Sequence, residues 1–327
     1  MGEFELLARV RERLPPAGPR VRVGSGDDAA VTVPGGATAT SVDALVEGVH
    51  FHRNRATLTQ IGRKALSTAL SDLAAMGAEP GEAYVALGVP PDLDEEGCLE
   101  LVDGIAAVAA ATGTTLAGGD VTRAPALTLA VTVVGHAATA DQLVGRGGAK
   151  PGDVLVLTGE IGGAAAGLLL EEHSELASSV PERTAERLRL RQLDPTPRLN
   201  AGRALAAAGA RAMIDLSDGL GGDAGHLAEM SGVALQIDAG ALPLANGLAE
   251  VAVAAGRDPL ELATSGGEDY ELLAALAPER LGEATTRIGE AAETTLTQVG
   301  EVLDGAGVEI RLPGGAMLRP TGFDQLR

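Results

Sequence analysis

Cysteine, aromatic residues and positive charge are all scarce in this chain of 327 residues. Its single cysteine, Cys98, excludes an internal disulfide and a zinc site built from cysteines. Aromatic residues make up only 2% of the sequence, so alanine and valine must do most of the core packing. Because the formal net charge is −20, nucleic acid and anionic lipid, which are themselves polyanions, are poor candidate partners.

Long apolar runs are also missing. Stretches such as residues 105–111 are far shorter than the ~20 apolar residues that a membrane-spanning helix requires. Residues 1–13 mix charged and apolar side chains and so lack the uninterrupted apolar segment of a signal peptide. These absences predict a soluble, cytoplasmic protein that does not bind a membrane.

Strand-like and helix-like segments alternate along the chain, whose length exceeds one typical hydrophobic core and therefore predicts two domains. The predicted elements are, in order, a strand at 37–42, a helix at 57–76, a strand at 83–89, a helix at 94–112, strands at 127–135 and 153–157, a helix from 161, a strand at 212–214, a helix at 220–230 and a strand at 234–237. Gly and Pro in residues 145–152 break both patterns, which divides the chain into residues 1–145 and 146–327. We expect a mixed α/β fold of two layered α/β domains.

Aspartates that follow short strand-like runs are the strongest functional signal. They are Asp28, Asp43, Asp120, Asp215 and Asp218. Ligand crevices of open α/β sheets lie at strand ends, so these carboxylates stand where a binding site is expected. Oxygen donors without cysteine or paired-histidine motifs favour Mg²⁺ over zinc. His50 and His52 are better explained as structural or substrate-contacting residues.

Asp72 is the acidic residue predicted to lie on a buried helix face. In the helix at 57–76 it shares the face of Ala65, at 3.6 residues per turn. A carboxylate in such a place has to be paired or to coordinate a metal. Taken alone, a structural pair with Lys64, Arg63 or a helix N-terminus is the simpler explanation, and only the presence of the other aspartates favours a metal.

Residues 24–29 match the GxGxxA pattern of dinucleotide-binding folds. That pattern presents bare backbone amides to a pyrophosphate, whereas here Asp27 and Asp28 would repel it. The two carboxylates make sense if Mg²⁺ stands between carboxylate and phosphate. A Walker A loop is excluded because the sequence contains no Gly-Lys dipeptide.

The ordered set of motifs resembles the thiamine-monophosphate kinase family, within the superfamily of ATP-dependent enzymes that includes aminoimidazole ribonucleotide synthetase. The matching segments are residues 26–29, 41–43, 48–51, 64–66, 70–78, 118–120, 146–153, 214–219 and 265–271. Each is weak alone, but together they span most of the chain in the order of the family.

The resemblance implies transfer of the γ-phosphate of ATP to thiamine monophosphate, with several Mg²⁺ ions and an active site in the cleft between the two domains. The implied magnesium ligands are Asp28, Ser41, Asp43, Asp72, Asp120, Asp215 and Asp218. The implied ATP contacts are Gly119, Asp120, Arg146 and Ser217, and the implied thiamine contacts are His50, Glu268 and Phe323. The resemblance implies no catalytic residue beyond these ligands, and it implies a homodimer formed through the N-terminal domains.

Two positions depart from the pattern of the family. Val42 stands where relatives often have Thr, so a side-chain hydroxyl is lost there, and Phe323 stands where a Tyr can occur. Simpler explanations also exist for three of the implied contacts: Phe323 as a hydrophobic anchor, Glu268 as a surface turn residue and Arg146 as a solvated loop charge.

Two alternatives remain open at this stage. One is another ATP-dependent enzyme of the same superfamily, of the aminoimidazole ribonucleotide synthetase type. The other is a non-catalytic nucleotide-binding sensor on the same scaffold. Phosphoryl transfer to a phosphate needs positioning and charge neutralisation rather than a general base, which agrees with many carboxylates and no obvious base.

Overall fold

The structure, a computed structural model, describes residues 3–25, 29–291 and 294–318. Clustering of the contacts divides the chain into two units. Unit 1 consists of residues 1–73 and 78–141, and unit 2 consists of residues 74–77 and 142–327. Each unit has its own sheet and its own buried apolar residues.

Unit 1 begins with a helix and then alternates strands and helices. Its elements are α1 (Glu3–Arg13), β1 (Val21–Val23), β2 (Val31–Thr32), β3 (Ala37–Val46), α2 (Leu58–Ala75), β4 (Glu79–Val89), α3 (Glu95–Thr112), β5 (Thr115–Arg123) and β6 (Thr128–Ala137). The main sheet has the order β3-β6-β4-β5, in which only β4 and β5 run parallel. Strands β1 and β2 pair separately.

Helix α3 shows why the sequence folds as it does in unit 1. The side chain of Asp94 caps its N-terminus by accepting the N–H of Gly97 at 2.9 Å. Gly113 ends the helix at φ 72°, a left-handed conformation that glycine adopts without steric cost. Its buried face includes Cys98, which is 0% exposed and therefore a packed thiol.

Unit 2 contains seven helices and seven strands among its described residues. They are β7 (Val154–Thr158), α4 (Gly163–Glu172), α5 (Glu182–Leu193), α6 (Leu199–Ala207), β8 (Ala212–Asp215), α7 (Leu220–Ser231), β9 (Ala234–Asp238), α8 (Leu248–Ala254), α9 (Pro259–Ser265), β10 (Leu272–Leu276), α10 (Leu281–Ala291), β11 (Leu296–Leu303), β12 (Gly307–Arg311) and β13 (Met317–Leu318). The sheet order is β13-β12-β9-β11-β7-β10-β8. Only β12 and β9 pair in parallel. Strands β7, β8 and β10 are almost wholly buried and run as continuous apolar segments.

The mixed α/β fold is confirmed, and each predicted helix and strand overlaps an observed one. No sequence pattern predicted α1, β2, β5 or α5, nor any element after β9. The expectation that Asp43 and Asp120 follow strands was wrong, because β3 and β5 continue past them. Polar Thr, Ser and Asp residues interrupt the apolar pattern there, which hid the true length of both strands.

Within the described ranges, no helix combines the length and the apolar character needed to cross a bilayer.

Helices α4 and α5 pack unusually closely at Gly167. A methyl group added to this glycine would stand 2.1 Å from the carbonyl oxygen of Leu188 in α5. We expect Gly167→Ala to destabilise the protein by about 1–3 kcal/mol, since the two helices would have to separate. The control is Gly289→Ala in α10, where nothing lies within 4 Å and a gain of up to about 1 kcal/mol is expected. Denaturant unfolding of the full chain measures both, and equal midpoints for the two variants would contradict the close packing.

Candidate active site

One face of β3 carries two of the expected magnesium ligands. Ser41 and Asp43 lie two residues apart and therefore point to the same side of the sheet, where both are partly buried. Val42 points to the opposite side and is 66% exposed. Val42, which stands where relatives often have Thr, therefore lies on the face of β3 opposite to Ser41 and Asp43.

Helix α2 brings Asp72 to this face. The hydroxyl of Ser41 donates a short hydrogen bond to Oδ2 of Asp72. Asp72 is half-buried, as expected for a carboxylate on the packed side of a helix. Lys64, one of the ion-pair partners considered from the sequence, is 2% exposed, and its Nζ lies 3.5 Å from the carbonyl oxygen of His50. The hydroxyl oxygen of Ser41 and the carboxylate of Asp72 are therefore adjacent, and both supply oxygen atoms of the kind that binds Mg²⁺.

The imidazole of His50 is oriented by the backbone. Its Nδ1 accepts the N–H of Val46 at 3.0 Å, in the turn that follows β3. In the neutral ring the proton consequently resides on Nε2, which makes this atom a hydrogen-bond donor. His50 is half-buried, so a fixed, partly accessible donor is available beside the strand that carries Asp43.

Gly119 and Asp120 lie exposed in β5. Gly119 pairs with Val85, and a methyl group on it would stand 2.1 Å from the carbonyl oxygen of that residue. A pocket of unit 1 reaches both positions, and its walls are mostly apolar side chains of α1, α3 and β4. The backbone approach requires glycine here whether or not a nucleotide binds.

In unit 2, backbone hydrogen bonds bring the segment of Ser217, an expected nucleotide contact, next to the segment of Glu268, an expected thiamine contact. Beyond the paired strands β8 and β10, the N–H of Glu268 donates to the carbonyl oxygen of Ser217 at 2.9 Å. The N–H of Tyr270 donates to Leu216 at 2.8 Å, and the N–H of Leu216 donates to Glu271 at 2.8 Å. The segment that carries Ser217 and the segment that carries Glu268 are therefore adjacent.

Asp223 is an acidic residue that the sequence analysis missed. It lies on the first turn of α7, is 3% exposed, and accepts the N–H of Asp218 at 3.0 Å. Burial, followed by the negative charge of Asp215, raises the pKa of Asp223 to about 8. Asp215, predicted to follow a strand at 212–214, is the last residue of β8 and is 4% exposed. The sequence contained a signal for this contact, because the side chain of an Asp on the first turn of a helix lies close to the backbone that precedes the helix.

Glu271 is fully buried and accepts four hydrogen bonds. Arg198 donates Nε and Nη2 at 2.8 and 2.6 Å, Arg191 donates Nη2 at 3.0 Å, and Thr158 donates its hydroxyl at 2.8 Å. A buried carboxylate is tolerated when it is paired and its lone pairs are filled, which these donors achieve. Glu271 thereby anchors one end of the segment that carries Glu268.

Asp269 anchors the middle of the same segment. Its carboxylate accepts the N–H groups of Gly162 and Ala164 at 2.6 and 3.1 Å and so caps α4 from a distant part of the chain. Burial raises the pKa of Asp269 to about 6. Glu268 and Tyr270 on either side have positive φ angles of 67° and 52°, which non-glycine residues seldom adopt.

The carboxylate of Glu268 has a partner in α5. Nε2 of Gln192 donates to its Oε2 at 3.0 Å, and Gln192 is 5% exposed. Glu268 itself is half-buried, which disagrees with the simple explanation of a surface turn residue.

The loop that carries Arg146 is fixed by the last residue of α7. Oγ of Ser231 donates to the carbonyl oxygen of Arg146 at 3.1 Å and accepts the N–H groups of Gly148 and Ala149 at 3.2 Å. Arg146 itself is exposed. One hydroxyl thus holds the backbone on both sides of this turn and leaves the arginine at the surface.

The structure does not test every expected site residue. Asp28 and Phe323 lie outside the described residues. In the part of the chain that the structure describes, no three His, Cys, Asp or Glu side chains are grouped so that they could hold a metal ion by themselves. The observed groupings are smaller: Ser41 with Asp72, and Asp223 with the backbone of Asp218.

Comparison with family models identifies the broad class of protein to which this chain belongs. Residues 26–137 match the model of the N-terminal domain of AIR synthase related proteins, and residues 150–313 match the model of the C-terminal domain of the same group. The two layered domains are therefore those of an AIR synthase related protein.

Individual relatives and solved structures identify the family within this class. The thiamine-monophosphate kinase of Mycobacterium tuberculosis is 39% identical over 282 residues, which are 84% of this chain and 80% of that protein. The crystal structure of the thiamine-monophosphate kinase of Stenotrophomonas maltophilia is 38% identical with a TM-score of 0.83, covering 95% of this chain and 96% of that one. AaThiL complexed with AMPPCP and TMP is 30% identical with a TM-score of 0.76, covering 98% and 96%. The chain belongs to the thiamine-monophosphate kinase family.

The buried pairing of Glu271 leads to a prediction about stability. Glu271→Gln leaves Arg191 and Arg198 without their buried counter-charge, and we expect a loss of about 3 kcal/mol or more in the free energy of unfolding. Glu283→Gln is the control, because Glu283 forms exposed ion pairs with Arg280 and Arg287 and should unfold like the unmodified chain. Urea denaturation followed by circular dichroism compares the two variants. Similar midpoints would show that the cluster does not hold unit 2 together.

Proposed function

We propose that this chain phosphorylates thiamine monophosphate to thiamine diphosphate with ATP, by direct in-line transfer of the γ-phosphoryl group. The observation that carries the proposal is the backbone hydrogen bond between Glu268 and Ser217, which makes an expected thiamine contact and an expected nucleotide contact neighbours. A family relative in complex with AMPPCP, an analogue of ATP, and with TMP supports the same pair of substrates.

The chemistry of the acceptor explains why no general base is needed. A phosphate monoester has a second pKa near ~6, so thiamine monophosphate is largely dianionic at neutral pH and already nucleophilic. What opposes the reaction is repulsion between this dianion and the polyanionic ATP. Catalysis therefore depends on positioning and on neutralisation of charge.

The donor atoms fit Mg²⁺. Carboxylates and a hydroxyl, without cysteine, are the hard oxygen ligands that this ion prefers. Burial is the main cause of the raised pKa of Asp223, and the negative charges of Asp215 and Asp218 add to it; a nearby cation would relieve that part of the cost. Mg²⁺ commonly takes one or two carboxylates together with phosphates of the substrate. The groupings found among the described residues are of this small size.

We assign the ion-holding roles unit by unit. In unit 1 they fall on Asp28, Ser41, Asp43, Asp72 and Asp120, and in unit 2 on Asp215 and Asp218. Several Mg²⁺ ions, when bound, supply charge neutralisation to the reacting phosphates.

The remaining contacts follow from what each side chain offers. Gly119 and Ser217 provide accessible backbone and a hydroxyl for the nucleotide, and Arg146 provides a cation on a rigid turn. The Nε2–H of His50 and the carboxylate of Glu268 provide a donor and an acceptor for thiamine. Phe323 provides an aromatic face for the cationic thiazolium ring, an attraction of roughly 0.5–2 kcal/mol.

We also propose a homodimer formed through unit 1. Strand β3 is an edge strand of ten residues, and its outer face presents the exposed side chain of Val42. A long unpaired edge with exposed apolar groups is the kind of surface that pairs with another chain.

Our first prediction for this function is direct. The purified chain should convert ATP and thiamine monophosphate to ADP and thiamine diphosphate, measured by chromatography, and an excess of EDTA should abolish the reaction. No thiamine diphosphate, with heat-stability of the protein still raised by ATP, would overturn the thiamine assignment and leave an ATP-dependent enzyme of the aminoimidazole ribonucleotide synthetase type.

The second prediction concerns Asp72. Asp72→Asn keeps the size of the side chain but removes its charge, so we expect kcat to fall by about 100-fold or more while the thermal midpoint changes little. Asp103→Asn, which alters an exposed carboxylate on α3, should retain normal activity. Unfolding of the Asp72→Asn variant, in place of selective inactivity, would indicate that Asp72 has a structural role.

A further inference from the structure

The side chain of Gln192 is a buried amide that contacts Glu268, the residue expected to recognise thiamine. It lies near the C-terminus of α5, and its Nε2 donates to Oε2 of Glu268 at 3.0 Å. An amide removed from water costs free energy unless it is hydrogen-bonded, so burial at 5% exposure depends on contacts of this kind. The proposed function gives Gln192 no role.

The backbone of Glu268 is fixed by other residues. Its φ of 67° is a conformation that persists in a non-glycine residue only where the surroundings hold it. The bond from its N–H to Ser217 and the anchoring of Asp269 on the N–H groups of Gly162 and Ala164 supply that constraint. What these contacts leave to be fixed is the long side chain of Glu268, with its three rotatable bonds.

The neighbouring arginine of α5 is directed elsewhere. Nη2 of Arg191 donates to Oε1 of Glu271 at 3.0 Å and to the carbonyl oxygen of Glu160 at 2.6 Å. Adjacent residues of one helix therefore serve two different carboxylates. Gln192 orients Glu268 through a neutral donor and adds no positive charge that would compete with a cationic ligand.

We propose that Gln192 is a positioning residue that sets the preference of Glu268 for a ligand whose nitrogen heterocycle carries an amino group. A carboxylate has about four lone-pair sites, and a hydrogen bond at Oε2 fixes the direction of the others. An amino group placed there donates to the carboxylate, whereas a keto group brings oxygen against oxygen and is rejected. This inference rests on the proposed function, since it takes Glu268 as a contact of thiamine.

The test begins with Gln192→Met, which keeps the approximate length of the side chain and removes the donor. We expect KM for thiamine monophosphate to rise about tenfold, while kcat and KM for ATP change less than about twofold. Arg187→Met is the matched control on α5, because its Nη2 contacts the carbonyl oxygen of Asn246 rather than Glu268. It should leave both KM values unchanged.

A substrate analogue separates positioning from a general structural role. In this analogue of thiamine monophosphate a keto group replaces the amino group of the pyrimidine. The unmodified chain should prefer the amino compound in kcat/KM, and Gln192→Met should reduce that preference about tenfold, as should Glu268→Gln. Because Gln192 acts through Glu268, the double variant should be no less selective than Glu268→Gln alone.

Several results would overturn the inference. They are an unchanged preference in Gln192→Met, fully additive effects in the double variant, or an equal rise of both KM values together with a lower thermal midpoint. If Gln192→Met does not fold, Gln192→Glu keeps the shape of the side chain and sets two carboxylates against each other; wild-type kinetics in that variant would overturn the inference as well. Absence of turnover by the unmodified chain would instead remove the proposed function itself.

Discussion

The buried carboxylate of Glu271 is the interaction on which the geometry of unit 2 depends. Its donors come from α5, from the residue before α6 and from the end of β7, so one side chain fixes three parts of the unit against β10. The cost of burying this charge is offset by the hydrogen bonds that it accepts, so the loss of a donor would leave a lone pair of a buried carboxylate unfilled. The strained backbone at Glu268 lies three residues before this anchor and is held further by the N–H bond to Ser217.

The features that could be predicted from the sequence are those that depend on short, local patterns of residues. Asp218 was placed correctly between a strand and a helix, and Asp215 within one residue of its strand, because a short apolar run followed by polar residues and glycine is a local signal. The bond from Gln192 to Glu268 joins residues 76 positions apart, and that from Arg198 to Glu271 joins residues 73 apart. No periodicity reports such contacts, because they arise when the fold brings distant segments together. For the same reason the strand limits at Asp43 and Asp120 were misjudged, since pairing with neighbouring strands extends them beyond their apolar residues.

The acidic character of the chain has two separate explanations. Most of its 45 acidic residues lie where solvation is the simplest role, and exposed ion pairs such as that of Arg257 with Glu261 add little to stability. A small number are buried or directed at one another, as Asp215 and Asp223 are. In the proposed reaction this second group serves phosphate binding indirectly, because it attracts the cations that accompany ATP. On this proposal, bound cations reconcile a net charge of −20 with polyanionic substrates.

The way in which Glu271 is held also bears on protein engineering. Residues 265–271 form a continuous motif in the sequence, and a designer would be inclined to exchange it between relatives as a cassette. Its C-terminal end, however, is held by Arg191, Arg198 and Thr158, none of which lies in the cassette. A chimera would keep the motif intact only if those three positions travelled with it. In this chain the transferable module is therefore a set of dispersed residues and not a stretch of chain.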